Sequence, residues 1–137
     1  MVSNSSYAVY VKCAACDSHM SSPSGVIASP RYPRPYPPSL DCTYVVTLSL
    51  DKQVFLSVDL FDLEWSNNCT KDWLEIRNGG HVDSPLVGKY CGQSPSLARA
   101  QIRSFTNQLL LRFHSDQLYA GKGFQFRYFA DFSIVFL

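Results

Sequence analysis

Apolar and polar residues alternate in short runs along most of the chain, and a period of two is typical of half-buried β-strands. In the second run, for example, Val54, Leu56 and Val58 share one face. No stretch shows the helical period of 3.6, so an all-β sandwich or barrel is predicted. The predicted strands, each bounded by polar or turn-forming residues, are 42–50, 54–59, 73–77, 86–90, 100–105, 109–114 and 124–128.

Prolines and the two ends of the chain define its organisation. Residues 29–38 contain five prolines in ten positions, so this segment is predicted to be extended or turned at the surface rather than helical. Residues 1–15 are expected to form a flexible leader and residues 16–130 a single folded domain. The apolar tail 131–137 is expected to be a frayed extension of the last strand, since it is far shorter than the roughly 20 residues of a membrane span.

Charge and targeting signals exclude several functions. The 137 residues include 12 Lys and Arg against 11 Asp and Glu, a formal net charge of +1. Such a chain has no long-range field to attract nucleic acid or an acidic membrane. Residues 1–12 lack a charged region followed by an apolar run, so no signal peptide is predicted in this chain. We therefore expect no nucleic-acid partner and no membrane span.

Cysteines and glycosylation signals indicate the compartment. Single cysteines spread through a strand-rich chain are typical of disulfides formed in an oxidising environment. Asn4-Ser5-Ser6 and Asn68-Cys69-Thr70 both fit the N-glycosylation pattern. An extracellular or secreted protein is therefore predicted. The pairing among the five cysteines cannot be chosen from the residues alone; they are at positions 13, 16, 42, 69 and 91.

A series of short motifs follows in a fixed order between residues 16 and 128. In this order and spacing the motifs resemble the CUB domain family. The resemblance implies a jelly-roll β-sandwich of two antiparallel sheets with two disulfides. The motifs are Cys16, Ser24-Gly25-Val26-Ile27-Ala28-Ser29-Pro30, Tyr32-Pro33, Tyr36-Pro37, Cys42-Thr43-Tyr44, Phe61-Asp62-Leu63-Glu64, Cys69, Asp72-Trp73-Leu74-Glu75-Ile76-Arg77-Asn78-Gly79, Lys89-Tyr90-Cys91-Gly92, Phe113-His114-Ser115-Asp116 and Gly123-Phe124.

The resemblance also implies which cysteines pair. The implied bridges are Cys16–Cys42 and Cys69–Cys91, each worth about 3 kcal/mol in the chain-entropy model. Cys13 is left unpaired, as a free thiol or in an intermolecular bridge. Its Cys-Ala-Ala-Cys spacing with Cys16 also fits a redox or zinc site, but the first is typical of a βαβ setting and the second of four ligands.

Three acidic residues are the candidate metal ligands. In many CUB domains, carboxylates at the positions of Glu64, Asp72 and Asp116 bind one calcium ion. A tyrosine at the position of Tyr36 hydrogen-bonds to the site, and the backbone carbonyl of Leu118 is a further candidate ligand. Calcium takes six to eight oxygen ligands, so such a set satisfies part of its coordination. Only the resemblance brings Asp116 close to the other two.

The resemblance implies an interaction module. In related domains calcium orders the loop, and exposed acidic oxygens pair with a Lys or Arg of a partner protein. We therefore expect an extracellular calcium-binding module that mediates protein–protein contacts. The alternative is a single CUB domain like the spermadhesins, which bind glycans or glycosaminoglycans. Its candidate cations are Lys12, Arg31, Arg34 and Lys71.

Catalysis is not expected. The chain has His19, His81 and His114 and many serines, from which a triad can always be imagined. No nucleophile motif such as G-x-S-x-G is present. The histidines fit a leader loop, a turn and a strand face, so the sequence predicts that the domain is not an enzyme.

Overall fold

A computed structural model describes residues 16–132, which form a sandwich of two β-sheets. The five-stranded sheet has the order β1-β3-β8-β5-β6, and the four-stranded sheet has the order β2-β9-β4-β7. Besides strands there are a 3-10 turn at Asn67–Cys69 and a short helix, α1, at Pro95–Ala98. The strands are β1 (Ser18–Met20), β2 (Ser24–Ala28), β3 (Asp41–Thr47), β4 (Lys52–Asp62), β5 (Trp73–Arg77), β6 (Leu86–Tyr90), β7 (Ile102–Arg103), β8 (Gln108–His114) and β9 (Gly123–Phe132).

Strand direction is antiparallel in every described pair except one. β1 runs parallel to β3, with Ser18 opposite Tyr44 and Met20 opposite Val46. The disulfide Cys16–Cys42 lies beside this pair, with 5.2 Å between the Cα atoms. The second disulfide, Cys69–Cys91, has a Cα–Cα distance of 5.5 Å. The β-sandwich with two disulfides that the family resemblance implied is confirmed.

The core lies between the inner faces of the two sheets. Val54 and Leu56 of β4 are fully buried, as the alternation predicted. Phe124 packs edge-on against Tyr44 and Phe113, with ring centroids 6.0 and 5.0 Å away. Burying a side chain of this size stabilises the fold by about 1.5–3 kcal/mol. The same alternation buries Leu74, Ile76, Leu109, Leu111, Phe113, Phe126 and Tyr128.

One predicted strand is much shorter than expected. Only Ile102–Arg103 of the predicted 100–105 pairs with a neighbour, β4. The preceding residues form α1, which begins with Pro95, a residue that favours the first turn of a helix. Leu97 of α1 is buried in the core, and after this helix only two residues pair with β4 as β7.

The proline-rich segment forms turns, as predicted. The amide of Tyr32 donates to the Ser29 carbonyl, and the amide of Arg34 donates to the Arg31 carbonyl. The segment then brings Tyr36 into the core, where its ring meets Phe113 edge-on at 5.0 Å. A surface turn thus delivers a buried phenol to one end of the sandwich.

The ends of the chain limit which predictions can be compared with the structure. β9 continues through Asp131 to Phe132. Cys13 and Asn4 lie outside the described residues, as do residues 133–137 and the leader 1–15. Within residues 16–132, no helix has the length and apolar character needed to cross a bilayer.

Candidate functional site

The three predicted acids meet at one end of the sandwich. Glu64 follows the end of β4, Asp72 immediately precedes β5, and Asp116 follows the end of β8. One carboxylate oxygen from each of the three acids lies within 4.8 Å of the corresponding oxygens of the other two. The structure thus brings Asp116 to the other two acids, and the cluster joins residues carried by both sheets.

Strand register explains how Asp72 and Asp116 meet. β5 and β8 are antiparallel neighbours, with Trp73 opposite His114. Just beyond this pair, where Asp72 is level with Ser115, the amide of the next residue, Asp116, donates to Asp72 Oδ1 at 2.8 Å. The two residues are therefore adjacent because of sheet pairing, although 44 positions separate them in the chain.

Asp72 is the buried centre of the cluster. It has no solvent exposure, and its second oxygen, Oδ2, accepts a hydrogen bond of 2.6 Å from the Tyr36 hydroxyl. Burial raises the pKa of Asp72, while the hydrogen bonds from Tyr36 and the Asp116 amide lower it in part. A buried carboxylate needs such donors to remain charged.

Tyr36 connects the acids that come from the two sheets. Its hydroxyl donates to Asp72 and accepts a hydrogen bond of 3.1 Å from the Glu64 amide. Burial, followed by the hydrogen bond to Asp72, raises the pKa of the Tyr36 hydroxyl well above its ordinary value. The hydroxyl therefore stays protonated and available as a donor at physiological pH.

Glu64 contributes a carboxylate oxygen that lacks a hydrogen-bond partner. Its Oε1 atom is buried and has no hydrogen-bond partner within residues 16–132. Burial raises the pKa of Glu64, the charges of Asp116 and Asp72 raise it further, and Lys71 opposes them. Carboxylates about 4 Å apart repel by roughly 4 kcal/mol at an effective dielectric of 20. Three clustered carboxylates, one of which has a buried oxygen without a hydrogen-bond partner, fit the hard oxygen ligands that a calcium ion prefers.

The loop after β8 is fixed against the end of β4. The Leu118 amide donates to Asp116 Oδ1 at 3.1 Å, and the Lys122 amide donates to Asp62 Oδ2 at 3.2 Å. Gly121 lies so close to Asp62 that a Cβ atom would collide with the Asp62 carbonyl oxygen. The carbonyl of Leu118 stays a predicted ligand in this loop.

The loop between β4 and β5 is fixed by a disulfide and by backbone contacts. Cys69 is bridged to Cys91, and the Leu63 amide donates to the Gly92 carbonyl at 2.9 Å. Asn68 is exposed in this loop at φ 59°, a left-handed conformation that asparagine tolerates. The surface position is compatible with a glycan, and glycosylation at Asn68 stays a prediction.

A groove of about 510 Å³ lies beside the cluster and was not predicted from the sequence. Asp41 and His114 line it, and their side chains meet at 2.8 Å. His114 also stacks on Trp73, with ring centroids 5.2 Å apart. The alternation pattern predicts only a strand-face position for His114, because residue spacing does not reveal that Asp41 of β3 lies beside it.

The cations proposed for glycan binding are only partly described. Arg31 and Arg34 are exposed and belong to one turn, closed by a backbone hydrogen bond of 2.7 Å. Lys71 is exposed next to the acidic cluster. Lys12 lies outside the described residues.

Comparison with known proteins finds a matching family model and several similar proteins. The family model described as the CUB domain matches residues 16–128. The cubilin homolog of Drosophila melanogaster is 40% identical over 115 residues, which is 84% of this chain and 3% of that protein. Neuropilin-1 of Xenopus laevis is 37% identical over 135 residues, covering 94% of this chain and 14% of that protein. The chain therefore spans only a small part of the length of these relatives.

A solved structure shows the same fold with a metal bound. The crystal structure of the MASP-1 CUB2 domain bound to Ca²⁺ matches with a TM-score of 0.70 at 29% identity. The match covers 81% of this chain and 96% of that domain. A domain with this fold can thus hold calcium.

Proposed function

This chain belongs to the CUB domain family, and on that premise we propose that it is an extracellular module that binds a protein partner through a calcium-ordered acidic edge. CUB domains are interaction modules rather than enzymes in the neuropilin and cubilin relatives. Two disulfides in a domain of this size support an oxidising, extracellular setting.

The observation that carries the proposal is the unneutralised cluster of acids. The carboxylates of Glu64, Asp72 and Asp116 lie within 4.8 Å of one another, and Glu64 Oε1 is buried without a partner. These three side chains would hold the ion, with the Leu118 carbonyl as a further ligand. Calcium, when bound, supplies the missing positive charge, while Tyr36 keeps Asp72 in position.

The charge balance of the site indicates the partner chemistry. Three carboxylates and one divalent ion leave one negative charge on the ligand set itself, and Lys71 is an exposed cation beside it. A Lys or Arg of the partner complements that charge, and charge-assisted hydrogen bonds to carboxylates are strong for their size. Binding through this contact should weaken with added salt.

Calcium-dependent melting tests the metal site. For an extracellular module with a dissociation constant on the order of 10⁻⁴–10⁻³ M, about 10 mM calcium stabilises the fold by roughly 1.4–2.7 kcal/mol. We expect melting to rise by about 5–10 °C over a chelator-treated sample. Asp116→Asn should lose most of this rise. Asp51→Asn is the control, because Asp51 is an exposed acid at the opposite end of the sandwich.

Two results decide the test. A rise that persists in Asp116→Asn would mean that calcium binds elsewhere. An unchanged melting temperature of the wild-type protein in calcium and in chelator would refute the metal site itself.

A further inference from the structure

We propose that the partner's basic residue is flanked by bulky apolar side chains, because large exposed apolar residues border the acidic cluster. Trp65, Leu118 and Tyr119 are 71%, 70% and 70% exposed. We call these three residues the apolar rim. The inference rests on the proposed function and adds to it the chemistry of the partner segment.

The apolar rim belongs to the two loops that carry the acids. Trp65 directly follows Glu64, and Leu118 and Tyr119 follow Asp116 by two and three positions. The oxygens of Glu64 and Asp116 lie within 4.8 Å, so both loops meet at the same edge. Large apolar side chains exposed next to one another typically mark an interaction site.

Contacts at Trp65 and Leu118 hold this part of the apolar rim in place before any partner arrives. A Cβ atom at Gly92 would lie 2.9 Å from Trp65 Cδ1, so the indole rests against the glycine backbone. Leu118 is held by the hydrogen bond from its amide to Asp116 Oδ1. Side chains on a pre-ordered backbone lose less entropy on binding, which increases the affinity available from a small contact.

The shape of this edge favours a protein segment over a lipid surface. The groove beside Asp116 has a volume of about 510 Å³, and Leu118 forms part of its lining. A concave groove accepts a peptide segment, whereas membrane insertion is typical of projecting apolar tips. Asp41 also lines the groove and adds a further acid, so a cationic segment is complementary in charge.

Trp65 gives the partner contact a specific geometry. An indole ring accepts both the aliphatic stem and the charged end of a Lys or Arg side chain. Tryptophan and tyrosine are also the residue types that most often dominate binding energy at interfaces. An extended segment with one basic residue between two apolar residues therefore fits the acids and the apolar rim together.

Two short synthetic peptides test the inference. The first carries Phe-Lys-Leu and the second Ser-Lys-Ser, each between glycines with blocked ends. In NMR titrations at about 10 mM calcium, we expect the apolar-flanked peptide to bind about tenfold more tightly, since its flanks bury apolar area. The signals to follow are the backbone amides of Gly92 and Asp116, which every variant retains.

Matched variants separate the apolar rim from the metal site. Trp65→Ser, and separately Tyr119→Ser, should abolish most of the preference between the peptides and leave the calcium-dependent rise in melting unchanged. Phe105→Ser is the control, because Phe105 is 72% exposed at the opposite end of the sandwich. It should alter neither measurement.

The outcomes distinguish the two proposals. Equal binding of both peptides by a protein that responds to calcium overturns this inference and leaves the proposed function intact. A wild-type protein without a calcium response overturns the proposed function. Calcium-dependent sedimentation with phosphatidylserine vesicles, lost in Trp65→Ser while neither peptide binds, assigns the apolar rim to a membrane and also overturns the inference.

Discussion

Replacing Tyr36 with phenylalanine removes one oxygen atom from the centre of the acidic cluster and leaves the aromatic ring. The lost hydroxyl donates to Asp72 Oδ2 at 2.6 Å and accepts from the Glu64 amide at 3.1 Å. The ring of the variant can still pack edge-on against Phe113. The substitution therefore tests the hydrogen bonds at the site with little change in the core.

The cost can be worked from these two contacts. A hydrogen bond to a charged group contributes about 1.5–3 kcal/mol, and a buried amide left without an acceptor adds to the loss. We expect the free energy of unfolding to fall by about 2–3 kcal/mol. The loss should be smaller in calcium than in chelator, because a bound cation offsets the charge that Asp72 no longer shares with the hydroxyl.

Urea unfolding with the disulfides intact measures the loss, and Tyr44→Phe is the matched control. Tyr44 is equally buried, but its hydroxyl makes one long hydrogen bond of 3.4 Å, to the Ala28 carbonyl. Its removal should cost less than about 1 kcal/mol. If Tyr36→Phe destabilises the domain no more than Tyr44→Phe, Tyr36 does not support the cluster in the way argued above.

Two further predictions concern the charge at the site. Lys71→Ser removes a positive charge beside the cluster, so calcium affinity should rise about two- to fivefold at low salt, as measured by calcium titration of the melting temperature; unchanged affinity would mean that Lys71 is fully screened. The calcium-dependent rise in melting should shrink as pH falls from about 7.5 to about 5. Burial raises the pKa of both Glu64 and Asp72 above their ordinary values. At Glu64 the neighbouring negative charges raise the pKa further. These carboxyls bind protons more tightly in the calcium-free fold than in the unfolded chain. Protonation therefore stabilises that fold in acid, and this contribution is lost as pH rises. The bound protons also compete with calcium for the same oxygens. A response that is constant with pH would contradict this linkage.

The strands that could be predicted are those whose burial follows a strict alternation. β5 occupies the predicted residues 73–77, because Leu74 and Ile76 face the core while their neighbours face outward. β1 and β2 were not predicted, since β1 has only three residues and its place depends on pairing with β3. β7 is shorter than predicted because the apolar residues of 100–105 do not share one buried face: Ile102 is buried, whereas Phe105 is 72% exposed.

The site was predictable only in part, because one of its three acids is positioned by a strand pairing that is distant in the sequence. Glu64 and Asp72 are close in the chain, so their convergence follows from one short loop. The position of Asp116 depends on β8 lying beside β5, a nonlocal pairing that residue spacing does not reveal. Family resemblance supplied that contact. The exposure of Trp65 could not be predicted either, because tryptophan is usually buried and nothing local marks it as a surface residue.

The parallel direction of β1 and β3 determines at which end of the sandwich the domain would connect to an upstream module. β3 starts at Asp41, beside His114 and the acids, so β1 and Cys16 also start at that end. β9 runs from Gly123, at the same end, to Phe132 at the other. The described domain therefore begins at the docking edge, where an upstream module could share or obstruct it. It ends at the opposite edge, a full strand length from the acids.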